Sequence, residues 1–320
     1  MEYSINIPYE QLARECGIVN PVNSRDAISS VLALSSRFNN DQLILIYNYF
    51  FEHSNSYEIL IFLLEKIDKY RDISSRDLLI DSLLMKENLT ERLQDNDKLT
   101  RLRIKITKVL AHTKDSKAVY PLLYCLNNPE ENYKIKLSCA EALGKIGDRY
   151  AVIPLINIIE NEKESSIYVK ESAISALGML GDYKALDPIA SILESKNEFV
   201  NKFTFLKERA LEALNKFEFK NDKVMRAVEK SLSDDSPQIR INAIEVLMNS
   251  SDRKAVELIK NMLYDTNSEV VNNAVIALYN ILGDYILEEI INNENMQDSA
   301  KTSAIQLKET LQQEGDESDE

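Results

Sequence analysis

The 320-residue sequence contains no tryptophan, 2 histidines, 7 glycines and 7 prolines. So few glycines and prolines leave little of the punctuation that strands, hairpins and cofactor-binding loops require, which favours helix throughout. His53 and His112 stand without a Gly-rich phosphate loop or a supported Ser, His and Asp arrangement, so the sequence offers no conventional catalytic or metal centre. Cys16, Cys125 and Cys139 are odd in number and lack CxxC spacing, which argues against a disulfide framework or a zinc site. The longest apolar run, residues 43–51, is interrupted by Asn48 and is too short to insert across a bilayer. The opening residues, MEYSINIPYEQL, lack a basic stretch followed by an apolar one. No signal peptide is expected, and a reducing cytoplasm is the expected compartment.

Positive charge is also scarce. Lys and Arg number 38 against 52 Asp and Glu, a formal net charge of -14. General nucleic-acid binding is therefore not expected, because phosphate contacts need clustered basic residues. Glu314, Asp316, Glu317, Asp319 and Glu320 make the last residues an acidic stretch expected to be solvated and disordered.

What the sequence does contain is a repeat. Leucines at 110, 143, 177, 214, 247 and 278 are separated by 33, 34, 37, 33 and 31 residues, the length of one helix-turn-helix unit. Four residues before each stands a small or apolar residue on the same helical face: Ile106, Cys139, Ala173, Ala210, Ala243 and Ala274. Seven before it stand Arg103, Lys136, Lys170, Lys207 and Arg240, with Val271 breaking the series. Their stems are expected to cover apolar surface while their charges reach water. Five after it come Asp115, Asp148, Asp182 and Asp252, with Asp284 one residue later, expected as caps of a second helix. Pro121, Pro154 and Pro188 share one register in that second helix and are expected to bend it.

The segments YKIKLSCAEALGKIGDRYAVIPLINIIE and YVKESAISALGMLGDYKALDPIASILE carry basic-x-x-x-Ala, Ala-Leu-Gly, Gly-Asp and Ala-Val-x-Pro-Leu elements. They resemble the HEAT-like repeat named after the phycobilisome lyases, and the resemblance extends over about residues 99–291. It implies an all-α fold, a right-handed α-solenoid of HEAT-like helix pairs forming an α-α superhelix, with second helices lining a concave surface. Arrays of that family serve as bilin lyases, as chromophore chaperones and as adaptors without chemistry. Helical periodicity continues outside the array, at residues 24–38, 41–53, 57–70, 75–86 and 300–311. The expected organisation is a diverged N-terminal helical cap at 1–98, the repeat array at 99–291, a C-terminal capping helix at 292–312 and an acidic tail at 313–320.

Three surfaces are candidates for binding. The second helices should project Tyr120, Tyr124, Ile153, Asn157, Asp187, Ser191, Glu257 and Asn261 into the concave groove, giving it an aromatic end and an acidic end. Arg101, Lys105, Lys108 and His112 form a basic stripe on a first helix, opposite Leu102, Ile106 and Val109. Phe199, Phe203 and Phe205, with Phe217 and Phe219, gather at an irregular repeat, where they either fill a gap or form an apolar knob. The sequence thus reads as a non-catalytic scaffold or adaptor that holds a protein partner through its concave face, without a cofactor. The alternative is a phycobilin lyase subunit or bilin chaperone acting on phycobiliproteins, the one enzymatic reading. A HEAT-type DNA glycosylase is weakened by the negative charge and the absence of tryptophan.

Overall fold

A computed structural model describes residues 7–19, 21–85, 89–161, 166–195 and 204–317. Its helices are α1 (Tyr9–Glu15), α2 (Ser24–Ala33), α3 (Asn40–His53), α4 (Tyr57–Tyr70), α5 (Arg76–Leu83), α6 (Leu89–Leu93) and α7 (Asn96–Thr113). There follow α8 (Val119–Asn127), α9 (Tyr133–Ile146), α10 (Val152–Glu160), α11 (Ile167–Leu180) and α12 (Leu186–Leu193). The chain continues as α13 (Thr204–Leu214), α14 (Asp222–Ser231), α15 (Pro237–Met248), α16 (Arg253–Asn261), α17 (Ser268–Leu282), α18 (Tyr285–Asn292) and α19 (Asp298–Glu317). The only sheet-like pairing among the described residues is an isolated bridge between Phe219 and Ser250. The fold is an all-α solenoid. It divides into two compact units, residues 1–176 and 177–320, with the division falling inside α11.

In the first unit α7 packs on α9, and α8 packs on α9; in the second, α13 packs on α15, and α15 on α17. First helices of successive repeats therefore lie side by side. All six anchor leucines are fully buried, and so are the small or apolar residues one turn before them. At Gly178 the approach is close: an added Cβ would come within 3.0 Å of the Ala213 Cα and 3.1 Å of its Cβ.

The residues between the helices define how each pair turns. Asp115, Asp148 and Asp182 accept the amides of Lys117, Tyr150 and Lys184 and cap short 3-10 turns at 116–118, 149–151 and 183–185. These turns lead directly into α8, α10 and α12. Asp252 caps α16 by accepting the Lys254 amide. Asp284 departs from expectation: its own backbone is helical at φ -61 and ψ -31, so its side chain makes no cap. The three prolines also need correction. Each occupies the third residue of its second helix, where the missing N–H belongs to the first turn, whose amides lack intrahelical acceptors in any case. At that position they cost no mid-helix hydrogen bond.

A further correction concerns the basic series, whose charged heads do not go to water. Arg103 is buried; it donates from Nη1 and Nη2 to the two carboxylate oxygens of Glu131, at 2.9 and 2.7 Å, and from Nε to the Leu83 carbonyl at 2.8 Å. In the second unit Lys207 Nζ lies 2.9 Å from Asp234 Oδ2, and Arg240 spans both oxygens of Asp265 at 2.8 and 2.9 Å while also donating to the Asp234 carbonyl. Lys170 Nζ reaches the Ile159 carbonyl. The acids stand in the loop leading to the next first helix, where each also accepts a backbone amide: Asn132 on Glu131, Ser236 on Asp234, Asn267 on Asp265. Arg103, Lys207 and Arg240 therefore each fasten their own helix to the start of the following repeat, whereas Lys170 reaches back to the helix before it.

At the C-terminus α19 continues through Glu317, beyond residue 313 where the tail was expected to begin. Residues 310–314, TLQQE, are mostly good helix formers and extend the periodic segment. Residues 318–320 lie outside the described residues.

Two substitutions test these joints. Arg240→Met should lower unfolding stability by about 3–5 kcal/mol in urea denaturation, because it leaves the buried Asp265 carboxylate without its counter-charge. Gly178→Ala should also destabilise, since crowding against the Ala213 backbone, about 1–3 kcal/mol, outweighs the ~1 kcal/mol gained in helix propensity. A denaturation midpoint that rises in the Gly178 variant would show that the two helices separate without cost.

Candidate functional site

Tyr120 and Tyr124 stand one turn apart on α8, and their side chains are left 77% and 66% exposed while Leu122, Cys125 and Leu126 turn inward. The next repeat presents Arg149 and Tyr150 from its 3-10 turn, then Ile153 and Pro154 from the first turn of α10. Tyr150 is as exposed as Tyr120, and Ile153 is also exposed. Together with Asn127 and Asn128 these residues border a groove of about 840 Å³ in the first unit. Tyr150 and Arg149 were not singled out by the sequence reading. Their signal is their place directly after the capping Asp148, where the short turn forces side chains outward.

Upstream of the groove, Arg76 fixes the turn that starts α8. Its Nη1 lies 2.6 Å from Asp115 Oδ2, and its Nε 2.8 Å from Asp77. The Arg76 hydrogen bond, aided by the Lys117 amide, holds the Asp115 carboxyl below the usual carboxylate range.

The remaining candidates are distributed elsewhere. Asn157 is exposed on α10 but does not border the groove. Asp187 and Glu257 are exposed on α12 and α16 in the second unit, and Asp187 accepts a 2.8 Å hydrogen bond from Asn221. In the basic stripe, Arg101 and Lys108 are exposed and Lys105 is half-buried on α7. The ends of this row are paired with α4, Lys98 with Glu58 at 3.9 Å and His112 with Asp68 at 2.6 Å. Phe199 and Phe203 lie outside the described residues, and Phe205 is half-buried. Phe217 and Phe219 are buried. Phe217 meets Tyr183 edge-on at 5.9 Å, and the Phe219 backbone bridges to Asn249 and Ser251. These two fill the irregular repeat and form no exposed knob.

Cys125 and Cys139 are buried across the α8 and α9 contact, with Arg103 Nη2 3.8 Å from the Cys125 sulfur. The hydrogen bond between the thiols, with Arg103 nearby, holds Cys125 below the ordinary thiol range, while the same bond and burial push Cys139 up. Among the described residues no cluster of His, Cys, Asp and Glu could hold a metal ion, and no helix is long and apolar enough to cross a membrane.

A family model described as PBS lyase HEAT-like repeat matches residues 135–161, and one described as HEAT repeats matches residues 203–279. No curated protein matches in sequence. Among solved structures, the complex of CpcE and CpcF of phycocyanin lyase from Nostoc sp. PCC7120 is 22% identical, with a TM-score of 0.42 over 66% of this chain and 89% of that one. A chain of the Kap95p and RanGDP structure is 13% identical, with a TM-score of 0.53 over 96% of this chain and 46% of that one. Kap121p is likewise 13% identical, with a TM-score of 0.52 over 95% and 38%. This chain thus spans less than half of either Kap chain, and the likeness is one of fold.

The Arg76 hub makes a pH prediction. A carboxyl whose folded pKa is depressed contributes stability above its unfolded value of about 3.9 and loses it as pH falls through the lower folded value. Asp115→Asn should therefore reduce stability at pH 7, and the gap from the parent protein should shrink as the pH approaches 2. Urea denaturation at the two pH values checks this; an unchanged gap would remove Asp115 from the acid sensitivity.

Proposed function

Because the chain carries HEAT-type repeats, we propose that it is a non-catalytic scaffold holding a protein partner, with the groove edged by Tyr120, Tyr124, Tyr150 and Ile153 as the contact surface. The observation that carries this reading is the exposure of three tyrosines and an isoleucine around one concavity. Each presents a large amphipathic or apolar area on a rigid helix or capped turn, so contact is made at small cost in side-chain entropy. Stacked repeats bury their faces against neighbours and leave the outer side of the second helices open for this purpose. The basic row Arg101, Lys105 and Lys108 supplies long-range attraction for an acidic partner, against the prevailing negative charge of the chain.

One observation favours a second reading. The segment matched as a PBS lyase HEAT-like repeat, residues 135–161, supplies Arg149, Tyr150, Ile153 and Pro154 to the groove. An open-chain tetrapyrrole stacked on tyrosines, its propionates on Arg149, would make the protein a bilin chaperone or lyase subunit.

Replacing both Tyr120 and Tyr124 by Ala should mainly speed dissociation of a verified partner, by about 1–2 kcal/mol per buried side chain, as read by surface plasmon resonance. Charge reversal at Arg101, Lys105 and Lys108 should instead slow association and flatten its salt dependence. Dissociation unaffected by the tyrosine double substitution would remove the groove from the contact surface. The second reading requires the visible spectrum of a bilin to change on mixing and that change to vanish in the tyrosine variant.

A further inference from the structure

The groove holds an imbalance of charge. Arg149 is exposed, makes no hydrogen bond or ion pair among the described residues, and is the sole charged side chain bordering the groove. Around it stand Tyr120, Tyr124, Tyr150, Ile153 and Pro154. The neighbouring carboxylate in the chain, Asp148, is engaged as the cap on the Tyr150 amide. The other cations of this unit that sit on carboxylates are committed: Arg103 to Glu131 and Arg76 to Asp115 and Asp77. The first turn of α10, beside Arg149, adds the positive end of a helix dipole to the same rim.

We infer that the groove takes a peptide segment in which a carboxylate lies beside apolar or aromatic side chains, the carboxylate paired with Arg149 and the apolar groups seated between Tyr120, Tyr124, Tyr150 and Ile153. The argument is charge complementarity. Over an otherwise uncharged lining, a single guanidinium favours one anionic group and disfavours a cationic one, and its planar fork donates two parallel hydrogen bonds to a carboxylate. The apolar lining, partly shielded from water once occupied, strengthens that pairing relative to the same contact in bulk solvent. The sign of the groove therefore opposes that of the chain as a whole, which is acidic. Selection against basic segments follows from the same arrangement, since these would be drawn to the chain at large but repelled at this position.

The inference rests on the reading of the groove as the partner surface, and the experiment separates the two. Three blocked tetrapeptides, acetyl-Leu-Phe-Glu-Leu-amide and its Gln and Lys counterparts, are titrated into the full chain while the ring signals of isotope-labelled tyrosine are followed by NMR. The Glu peptide should bind at least tenfold more tightly than the Lys peptide, with the Gln peptide between them, and should shift the signals of Tyr120, Tyr124 and Tyr150. Arg149→Ala should remove the difference between Glu and Gln peptides, and Arg149→Glu should invert the order so that the Lys peptide binds best. Arg149 is exposed and makes no hydrogen bond or ion pair among the described residues, so a circular dichroism melt of each variant should match the parent. Equal binding of the three peptides, or a Glu preference that survives Arg149→Ala, would overturn the inference. If peptides still shift the three tyrosines in that case, the groove reading stands without its carboxylate. If none of the three shifts any of these signals, the groove reading fails with it.

Discussion

A helix pair has too little surface to bury its apolar stripe alone, so a solenoid depends on how each pair is fastened to the next. Here the fastening, in three of the repeats, is a largely buried cation on the first helix whose counter-charge lies at the threshold of the following repeat. Arg103 with Glu131, Lys207 with Asp234 and Arg240 with Asp265 repeat this arrangement within the two units. Burying such charges is costly, and the cost is recovered only when both members and the adjoining backbone groups are in place. The carboxylate meets that condition by accepting an amide at the start of the next helix as well as the cation. Apolar packing alone would permit neighbouring helices to slide by a turn; an ion pair that must be satisfied at one point does not. Its main contribution is therefore to register, with net stability a smaller part.

This arrangement was only half legible in the sequence. The basic residues were visible because they recur seven positions before each anchor leucine, on the face that packing defines. Their partners were not, because Glu131, Asp234 and Asp265 follow at 28, 27 and 25 residues, in loops of differing length. A side chain with a long stem is expected to carry its charge to solvent, and that expectation holds only where no acid waits beside the stem. The same limit applies to the prolines. Their shared register showed that they matter, yet whether a proline bends a helix or opens one depends on a boundary three residues away, which the intervening 3-10 turn had shifted. Helix positions, by contrast, were recovered well, since 3.6-residue periodicity persists even in the diverged N-terminal elements such as α3 and α4.

At the groove, exposure was legible and assembly was not. Tyr120 and Tyr124 lie off the buried stripe of α8, so their outward direction follows from helical geometry. That Tyr150 and Arg149 join them depends on the turn capped by Asp148, where side-chain direction is set by the local 3-10 geometry and no periodicity announces it. The capping aspartates thus do two things. They close each turn, and they hold the following residues in a fixed outward pose at the rim between neighbouring second helices.

The division between scaffold and surface then becomes clear from a single register. Ten residues after the anchor, five of the six repeats carry an exposed residue on the second helix, Tyr120, Ile153, Asp187, Glu257 and Glu288, while the repeat anchored by Leu214 has the buried Val224 there. The flanking buried positions hardly vary in character: Leu122, Leu155 and Ile189 occupy one core site in successive repeats, each fully buried. A position that must pack against a neighbour is held to one kind of side chain by close packing, whereas the position facing outward is free to differ from repeat to repeat. Periodicity therefore encodes the fold, and the breaks in periodicity at outward positions are where information about a partner can reside. In this chain those breaks run aromatic and apolar in the first unit and acidic in the second.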